Sequence, residues 1–448
     1  MSQTQQRKKA TPPCLGAGSR VSCWETGSPL RYKTAEQLMS NSSNNHQPPA
    51  ALEHDALLPY ISEATELGRR IKDAILTDGY IVLPNILSKE ECLVELSRLW
   101  DYVEATSPGV SRDDPNSWYP PPIIDDSTTQ HDETTDNNTT NNHLYDNDPW
   151  PHSGWGFLPD MSQSFQAGWV FSSLRERLAE RIFEPLFGTH ELHSSKEGFT
   201  FHRPTALGIA TNGATHPVLH RERPRVCGKV QTKARGEHFD QCSAHTGLQC
   251  IQSSTCFIDQ DKDGADGCFQ CWPGSHVYHA EMTKNIWRGR SDWCPLTDEE
   301  LMVLEGLGMS AKKIPVNAGD VILWRSDLVH CGVGPSLPST GFRAVSYTAM
   351  LPAAMTPQDV YEGKLEEYLT MQTGDHRPNV KSRHFAPPKK KEKSHHQRDG
   401  VKLARGKYFA DGPPILTLRQ AELYGLVSYN RGIDSNNLDV NSQVRLST

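Results

Sequence analysis

Gly319-Asp320-Val321-Ile322-Leu323-Trp324-Arg325-Ser326-Asp327-Leu328-Val329-His330-Cys331-Gly332 reads as a turn, a short apolar strand and a histidine at its far end, ahead of a glycine-containing exit. Ninety residues upstream stands His238-Phe239-Asp240. Side chains alternate along a strand, so His238 and Asp240 share a face. An isolated His-x-Asp pair arises by chance in many chains, and each residue alone reads as an ordinary strand side chain. With His330 the set becomes two imidazoles and one carboxylate. Such a set covers one face of an octahedral iron(II) ion and leaves positions open for a chelating cosubstrate and O2. Thirteen residues past His330, Arg343 opens a second alternating strand, Gly341-Phe342-Arg343-Ala344-Val345-Ser346-Tyr347-Thr348-Ala349-Met350. A fixed positive charge there suits a carboxylate, because a guanidinium offers paired planar donors.

Working outward, Asp78-Gly79-Tyr80-Ile81-Val82-Leu83-Pro84 lies near the start, and Gly267-Cys268 leads into Cys271-Trp272-Pro273-Gly274-Ser275-His276 between the two ligand blocks. In this order the motifs resemble the phytanoyl-CoA dioxygenase-like family of iron(II)/2-oxoglutarate oxygenases, over about residues 65 to 355, with 105 to 235 matching poorly. The resemblance implies that His238, Asp240 and His330 bind iron and that Arg343 holds the distal carboxylate of 2-oxoglutarate. It implies oxidation of a small organic molecule by O2, with release of succinate and CO2. Chlorinating relatives replace the carboxylate ligand by a small residue; Asp240 is present, so hydroxylation is expected. Val345 stands two residues after Arg343, where a hydroxyl companion would be expected, and Ser346 and Tyr347 are the neighbouring alternatives. Gln249 and Gln252 follow the ligand pair as candidate hydrogen-bond partners of the cosubstrate, or as outward strand residues. His276 and His245 are rival ligands; the resemblance gives His276 a structural hydrogen bond instead. The other readings are a protein hydroxylase of the same chemistry and a cupin-like binding protein without turnover.

The fold class this predicts is mainly β with flanking helices, around a double-stranded β-helix core (jelly roll, cupin-like). From residue 198 onward short apolar or alternating runs are separated by Gly, Pro and Asp, as a jelly roll requires. Before them, a helix is predicted over Glu63 to Leu76. Another begins at Ser88 with Glu91 three residues on, a capping box, and carries a stripe of Cys92, Leu93, Leu96, Leu99, Trp100 and Val103. A third is predicted from Phe165 to Phe187. Thr297 and Glu300 cap a helix running on through Leu301 to Leu307. No fixed-period repeat is present.

Three segments cannot bury a core and read as solvated: an arm over 1–55, an Asp/Asn/Thr-rich insertion over about 125–148, and a linker with Lys389-Lys390-Lys391-Glu392-Lys393. The oxygenase domain is therefore set at 56–375, with a basic linker and C-terminal extension over 376–448. Pro413 to Tyr429 regains apolar residues and is expected to pack a short helix back on the domain.

The chain has 46 basic and 54 acidic residues, a net charge of −8, which argues against nucleic acid as the main partner. No run approaches the ~20 apolar residues of a membrane span. Eleven cysteines without framework spacing, and no hydrophobic signal segment, suggest free thiols in a reducing, cytoplasmic setting. An organelle transit peptide in residues 1–24 and a nuclear signal in the lysine run are the alternatives. Cys268-Phe269-Gln270-Cys271 lacks a second pair, and on a strand its two sulfurs face opposite sides, so it reads as core rather than zinc. The basic stretch His220 to Arg235 reads as a solvated loop or as steering for an anionic substrate. Trp150, Trp155, Trp169 and Trp272 are pocket or core candidates.

Overall fold

The computed structural model describes residues 55–106, 109–118, 161–162, 167–204, 236–242, 245–283, 294–335, 339–372, 376–381, 412–429 and 444–446. The insertion over 125–148, the basic stretch 220–235, Trp150, Trp155 and the lysine run lie outside these residues.

Among the described residues twelve strands form two antiparallel sheets. They are β1 (Tyr80–Leu83), β2 (Met161–Ser162), β3 (Leu192–Ser194), β4 (Phe199–His202), β5 (His238–Phe239), β6 (Ile251–Cys256), β7 (Cys268–Cys271), β8 (Cys294–Pro295), β9 (Lys312–Ile314), β10 (Val321–Arg325), β11 (His330–Val333) and β12 (Arg343–Pro352). The larger sheet runs β1-β10-β6-β12-β4-β2 with β3 also on β12; the smaller runs β8-β5-β11-β7-β9. From β4 the chain passes back and forth between sheets: β5 in the smaller, β6 in the larger, β7 and β9 in the smaller, β10 in the larger, β11 in the smaller, β12 in the larger. That winding is the double-stranded β-helix, or jelly roll.

Register decides which side chains meet inside. Across the larger sheet Tyr80 pairs Trp324, Trp324 pairs Gln252 and Gln252 pairs Ala349; two residues along, Val82, Ile322, Ser254 and Tyr347 line up. Cys256, Val345 and Thr200 follow, then Arg343 opposite His202. In the smaller sheet His238, His330 and Cys271 align, with Gly332 opposite Phe269 and Phe269 opposite Ile314. Residues of these rows make the core between the sheets, with Cys256, Phe269, Cys271, Ile314, Ile322, Trp324, Leu328 and Val345 buried together. Cys268 and Cys271 face opposite sides, as alternation requires.

The outer face of the larger sheet is covered by helices, chiefly α1 (Glu66–Thr77), α2 (Lys89–Thr106) and α3 (Ser172–Leu178). Thr65 caps α1 by accepting from the Gly68 amide, and Ser88 and Glu91 form the reciprocal capping box of α2. Trp100 of α2 stands edge-on to Phe201, ring centroids 4.9 Å apart. Leu93, in the predicted stripe, is 63% exposed; Tyr102 takes the buried position instead. The outer face of the smaller sheet is sealed by α4 (Asp298–Gly306), whose Leu301 and Leu304 join Phe239, Trp272 and Met282. Helix α5 (Leu418–Leu423) packs back on α3 and β3, as expected of that segment.

Two expectations change. The single helix over Phe165 to Phe187 is broken: Phe171 leaves helical geometry, and Ala179–Phe183 form a wide π turn ahead of Glu184–Phe187. Pro185 has no N–H for an ordinary helical bond, and the widened turn before it accommodates the gap. His330 does not close the strand that carries Trp324. β10 ends at Arg325, a turn crosses between the sheets, and His330 opens β11. Of the arm over 1–55 only Asp55 is among the described residues. Asp55 is buried and accepts hydrogen bonds from the Leu248 amide and the Arg325 guanidinium.

The crossover turn rests on a buried fork. Arg325 donates to both Asp327 oxygens at 2.7 and 2.8 Å, and all three of Asp55, Arg325 and Asp327 are nearly inaccessible. Gly319, at φ +91°, opens the strand before it; a Cβ there would stand 2.2 Å from the Leu87 carbonyl oxygen, so only glycine fits. Arg325→Met leaves two buried carboxylates without their cation and is expected to cost about 3–5 kcal/mol. Equilibrium unfolding in urea measures it; a loss below about 1 kcal/mol would mean the fork does not hold the turn.

Candidate metal centre

His238 and His330 are neighbours across β5 and β11, with ring centroids 4.5 Å apart. Asp240 follows β5, where its amide donates to the Ser326 carbonyl of the crossover turn. Its carboxylate reaches between the two rings: His238 Nε2 lies 3.3 Å from Oδ1 and His330 Nε2 lies 3.1 Å from Oδ2. Among the described residues these three form the only group of His, Cys, Asp or Glu side chains arranged to hold a metal ion, their ligand atoms all within 4.8 Å of one another.

The donor set was tested against a metal by its hydrogen bonds. Nδ1 of His238 faces the Gly236 carbonyl, and Nδ1 of His330 faces the Leu328 carbonyl at 2.9 Å. A carbonyl only accepts, so each Nδ1 carries a proton, and in the neutral imidazole Nε2 keeps its lone pair. Two lone pairs and a carboxylate then converge in a site where His330 is 5% and Asp240 9% exposed. Such a cluster repels itself unless a cation sits in it, and imidazole with carboxylate suits a divalent transition metal. Gln252 Nε2 donates to Asp240 Oδ2 at 2.8 Å and fixes the carboxylate's rotation.

The three groups also set one another's charge. Burial by itself would raise the Asp240 carboxyl, but His238, His330 and His376 together hold it well below the ordinary 3.8. Burial of His330 outweighs the neighbouring carboxylate and lowers its pKa. His238 feels the same burial, but Asp240 and the Gly236 carbonyl reverse it and raise the pKa.

Arg343 occupies the same barrel interior. It is 1% exposed, and its Nε and Nη1 have no hydrogen-bond partner among the described residues. A Cβ on Gly332 would stand 3.4 Å from Arg343 Nη1. Gly332 is two residues past His330, a separation of about 7 Å along a strand. The buried guanidinium thus lies one short dicarboxylate's reach from the ligand histidine. Gly267, at φ +92°, makes room for it: a Cβ there would lie 3.3 Å from Arg343 Cδ and 2.7 Å from both His202 Nδ1 and the Val333 carbonyl oxygen.

The remaining candidates separate cleanly. Gln249 Nε2 donates to the Thr246 carbonyl at 2.8 Å, whereas Gln252 contacts the metal-site carboxylate. His276 faces the Leu76 carbonyl through Nε2 at 3.3 Å, and burial pushes its pKa down to about 4. Neither His276 nor His245 joins the ligand group. Trp169 packs against Tyr368 and Tyr424, and Trp272 is buried behind the smaller sheet. Ser346 lies on the face opposite Arg343, while Tyr347 shares the Arg343 face and its hydroxyl bonds Thr200 at 2.9 Å. Interior residues that the motifs did not single out are Trp324, 5.4 Å from the His330 ring, and His202, opposite Arg343. The alternation of Phe199-Thr200-Phe201-His202 and of β10 is the signal that points to both.

No protein-family model matches the chain, and no curated protein matches it. Among solved structures, it is similar to the epimerase SnoN in complex with Fe3+, α-ketoglutarate and nogalamycin RO, at 16% identity and a TM-score of 0.35, covering 64% of this chain and 83% of that one. It is also similar to EctD from S. alaskensis with 2-oxoglutarate and 5-hydroxyectoine, at 14% identity and a TM-score of 0.36, covering 67% and 83%. HygX from Streptomyces hygroscopicus with nickel and 2-oxoglutarate follows at 15% identity and a TM-score of 0.31, covering 63% and 87%.

Single substitution of His238, Asp240 or His330 by Ala is expected to abolish stoichiometric iron(II) binding in anaerobic titration. Gln252→Leu keeps all three ligands but frees the carboxylate to rotate, and should weaken iron on the order of 10–100-fold. An unchanged constant in Gln252→Leu would remove its orienting role; retained binding in His330→Ala would displace it from the ligand set.

Proposed function

We propose that this protein is an iron(II)- and 2-oxoglutarate-dependent dioxygenase that hydroxylates a small organic molecule, of the phytanoyl-CoA dioxygenase-like kind. The observation that carries the reading is the buried Arg343 guanidinium, whose Nε and Nη1 have no acceptor among the described residues, in the same barrel as the His238, Asp240 and His330 cluster. A metal site alone fits many activities. A metal site with a preformed carboxylate anchor two strand residues away fits a cosubstrate that chelates at one end and is anionic at the other.

Iron(II), when bound, supplies the redox chemistry by which 2-oxoglutarate and O2 become succinate and CO2 while one oxygen atom passes to the substrate. The chain's own residues do the rest. His238, Asp240 and His330 would hold the ion. Gln252 keeps Asp240 in its ligating rotamer. Arg343 orients the cosubstrate by its far carboxylate. Trp324, Phe269 and Val345 supply apolar walls that exclude water from the reacting end.

The thiols support a reducing compartment such as the cytoplasm. The eight cysteines among the described residues are all buried. Burial pushes Cys92 up to about 11 and Cys256 and Cys271 up to about 12, which keeps them as inert thiols. Among the described residues no helix is long and apolar enough to cross a membrane.

Arg343→Ala removes one side of a desolvated charge pair, worth roughly 2–5 kcal/mol. It should weaken 2-oxoglutarate by a factor on the order of 30 to several thousand and leave iron affinity nearly unchanged. Arg343→Lys should lose less, since charge survives while the planar fork does not. Calorimetric titration of the iron-loaded variants measures both; an unaltered 2-oxoglutarate constant in Arg343→Ala would show that the anchor lies elsewhere.

A further inference from the structure

Buried tryptophans ordinarily give their indole N–H an acceptor. Trp118 donates to the Ser111 carbonyl at 2.7 Å, and Trp169 donates to the Gln372 carbonyl at 3.1 Å. Trp324 differs. It is 2% exposed, and its Nε1 has no hydrogen-bond partner among the described residues. Trp272 shares that condition, but it lies in the apolar cluster behind the smaller sheet. Trp324 stands inside the barrel, between the two sheets.

Ring geometry places the indole beside the metal centre. Its centroid is 5.4 Å from that of the ligand His330 and 4.7 Å from that of Phe269. Across β10 and β6 it stands opposite Gln252, the residue that holds Asp240. It also meets Tyr347 edge-on, with centroids 6.5 Å apart. Tyr347 lies on β12 between Ala349, which is opposite Gln252, and Arg343. The four residues from Arg343 to Tyr347 span about 13 Å of strand. The indole is therefore bracketed by a metal ligand and by a side chain on the way to Arg343. Among the side chains around it, the Tyr347 hydroxyl bonds Thr200 at 2.9 Å, and Ile322, Phe269 and Val345 carry no polar group. Gln252 Oε1, across the strand pair, is without a partner as well, so the indole N–H is not spent there.

On the oxygenase reading, on which this inference rests, 2-oxoglutarate chelates the metal through its 2-oxo acid end and reaches Arg343 with its far carboxylate. We infer that Trp324 is a second cosubstrate anchor, whose indole N–H donates to the carboxylate of the 2-oxo acid end. Chelation uses the keto oxygen and one carboxylate oxygen. The other carboxylate oxygen is left in a nearly dry site, where an unpaired anionic acceptor is costly. An indole N–H donates and never accepts, so it suits an anion and fixes the plane in which the chelate lies. Arg343 and Trp324 then hold the two ends of one molecule, the first by charge and the second by a single directed bond.

The test uses the full chain with its tryptophans labelled with nitrogen-15 and zinc(II) in place of iron(II). The Trp324 indole resonance is assigned by its loss in Trp324→Phe. It should move downfield on adding 2-oxoglutarate. It should also move on adding 2-oxobutyrate, which has the same 2-oxo acid end and no far carboxylate. Trp324→Phe keeps an aromatic ring against His330 and Phe269 but removes the N–H. It should weaken 2-oxoglutarate on the order of 10–100-fold and leave the iron(II) constant within about threefold. Arg343→Ala should leave the 2-oxobutyrate response of the indole in place. An indole resonance that stays still while 2-oxoglutarate binds the wild type overturns the inference, whether or not Trp324→Phe folds. So does a Trp324→Phe protein that binds 2-oxoglutarate as tightly as the wild type, which would make Trp324 a wall and no more. A response to 2-oxoglutarate but not to 2-oxobutyrate would assign the N–H to the far carboxylate and overturn it too. Each of these leaves the oxygenase reading standing. A wild type that takes up neither metal nor 2-oxoglutarate overturns the oxygenase reading itself, and this inference with it.

Discussion

The Asp240 carboxylate is the constraint around which the barrel interior is arranged. One group accepts from Gln252, faces both ligand imidazoles and is anchored through its own amide to Ser326. These contacts come from four separate chain segments, so Asp240 ties β5, β6, β11 and the crossover turn to one point. The arrangement carries a cost without a cation, since two imidazole lone pairs face an anion in a nearly dry site. A metal ion held there would resolve that cost and lock the same four segments together.

Delivery of His330 depends on a second buried charge group. Between Arg325 and His330 the chain leaves one sheet and enters the other. The Arg325–Asp327 fork, with Asp55 beside it, holds that crossing. The fork does no chemistry, yet a slip of one residue there would turn His330 away from Asp240, because a strand presents alternate residues to opposite faces. Phe239 and Val329 show the same logic from the other side: each precedes or follows a ligand and is buried in the cluster behind the smaller sheet.

Much of this was readable from local pattern. The capping boxes at Ser88 and Thr297, the strand at Val321 and the separation of Cys268 from Cys271 follow from hydrogen-bond chemistry within a few residues. That His238, Asp240 and His330 come together was legible because ligand chemistry restricts residue type, and the strand starting at Arg343 was legible from its alternation. Less legible were the features fixed by distant partners. Asp55 ends the polar arm read from composition, but it is buried beside Arg325, 270 residues away. Arg377 falls where the chain turns polar and basic, and only packing against Cys250 and Lys364 shows that its neighbour belongs to the core. The break at Phe171 interrupts a run that remains periodic in its apolar residues, so periodicity alone gives one helix.

The most direct test of the central claim follows oxygen atoms rather than affinities. The iron-loaded protein is supplied with 2-oxoglutarate and isotopically labelled O2, and the succinate formed is weighed by mass spectrometry. The account predicts succinate carrying a single labelled oxygen atom, formed by the wild type and absent in His330→Ala. Succinate without label, or none under conditions where iron and 2-oxoglutarate are both bound, would contradict it.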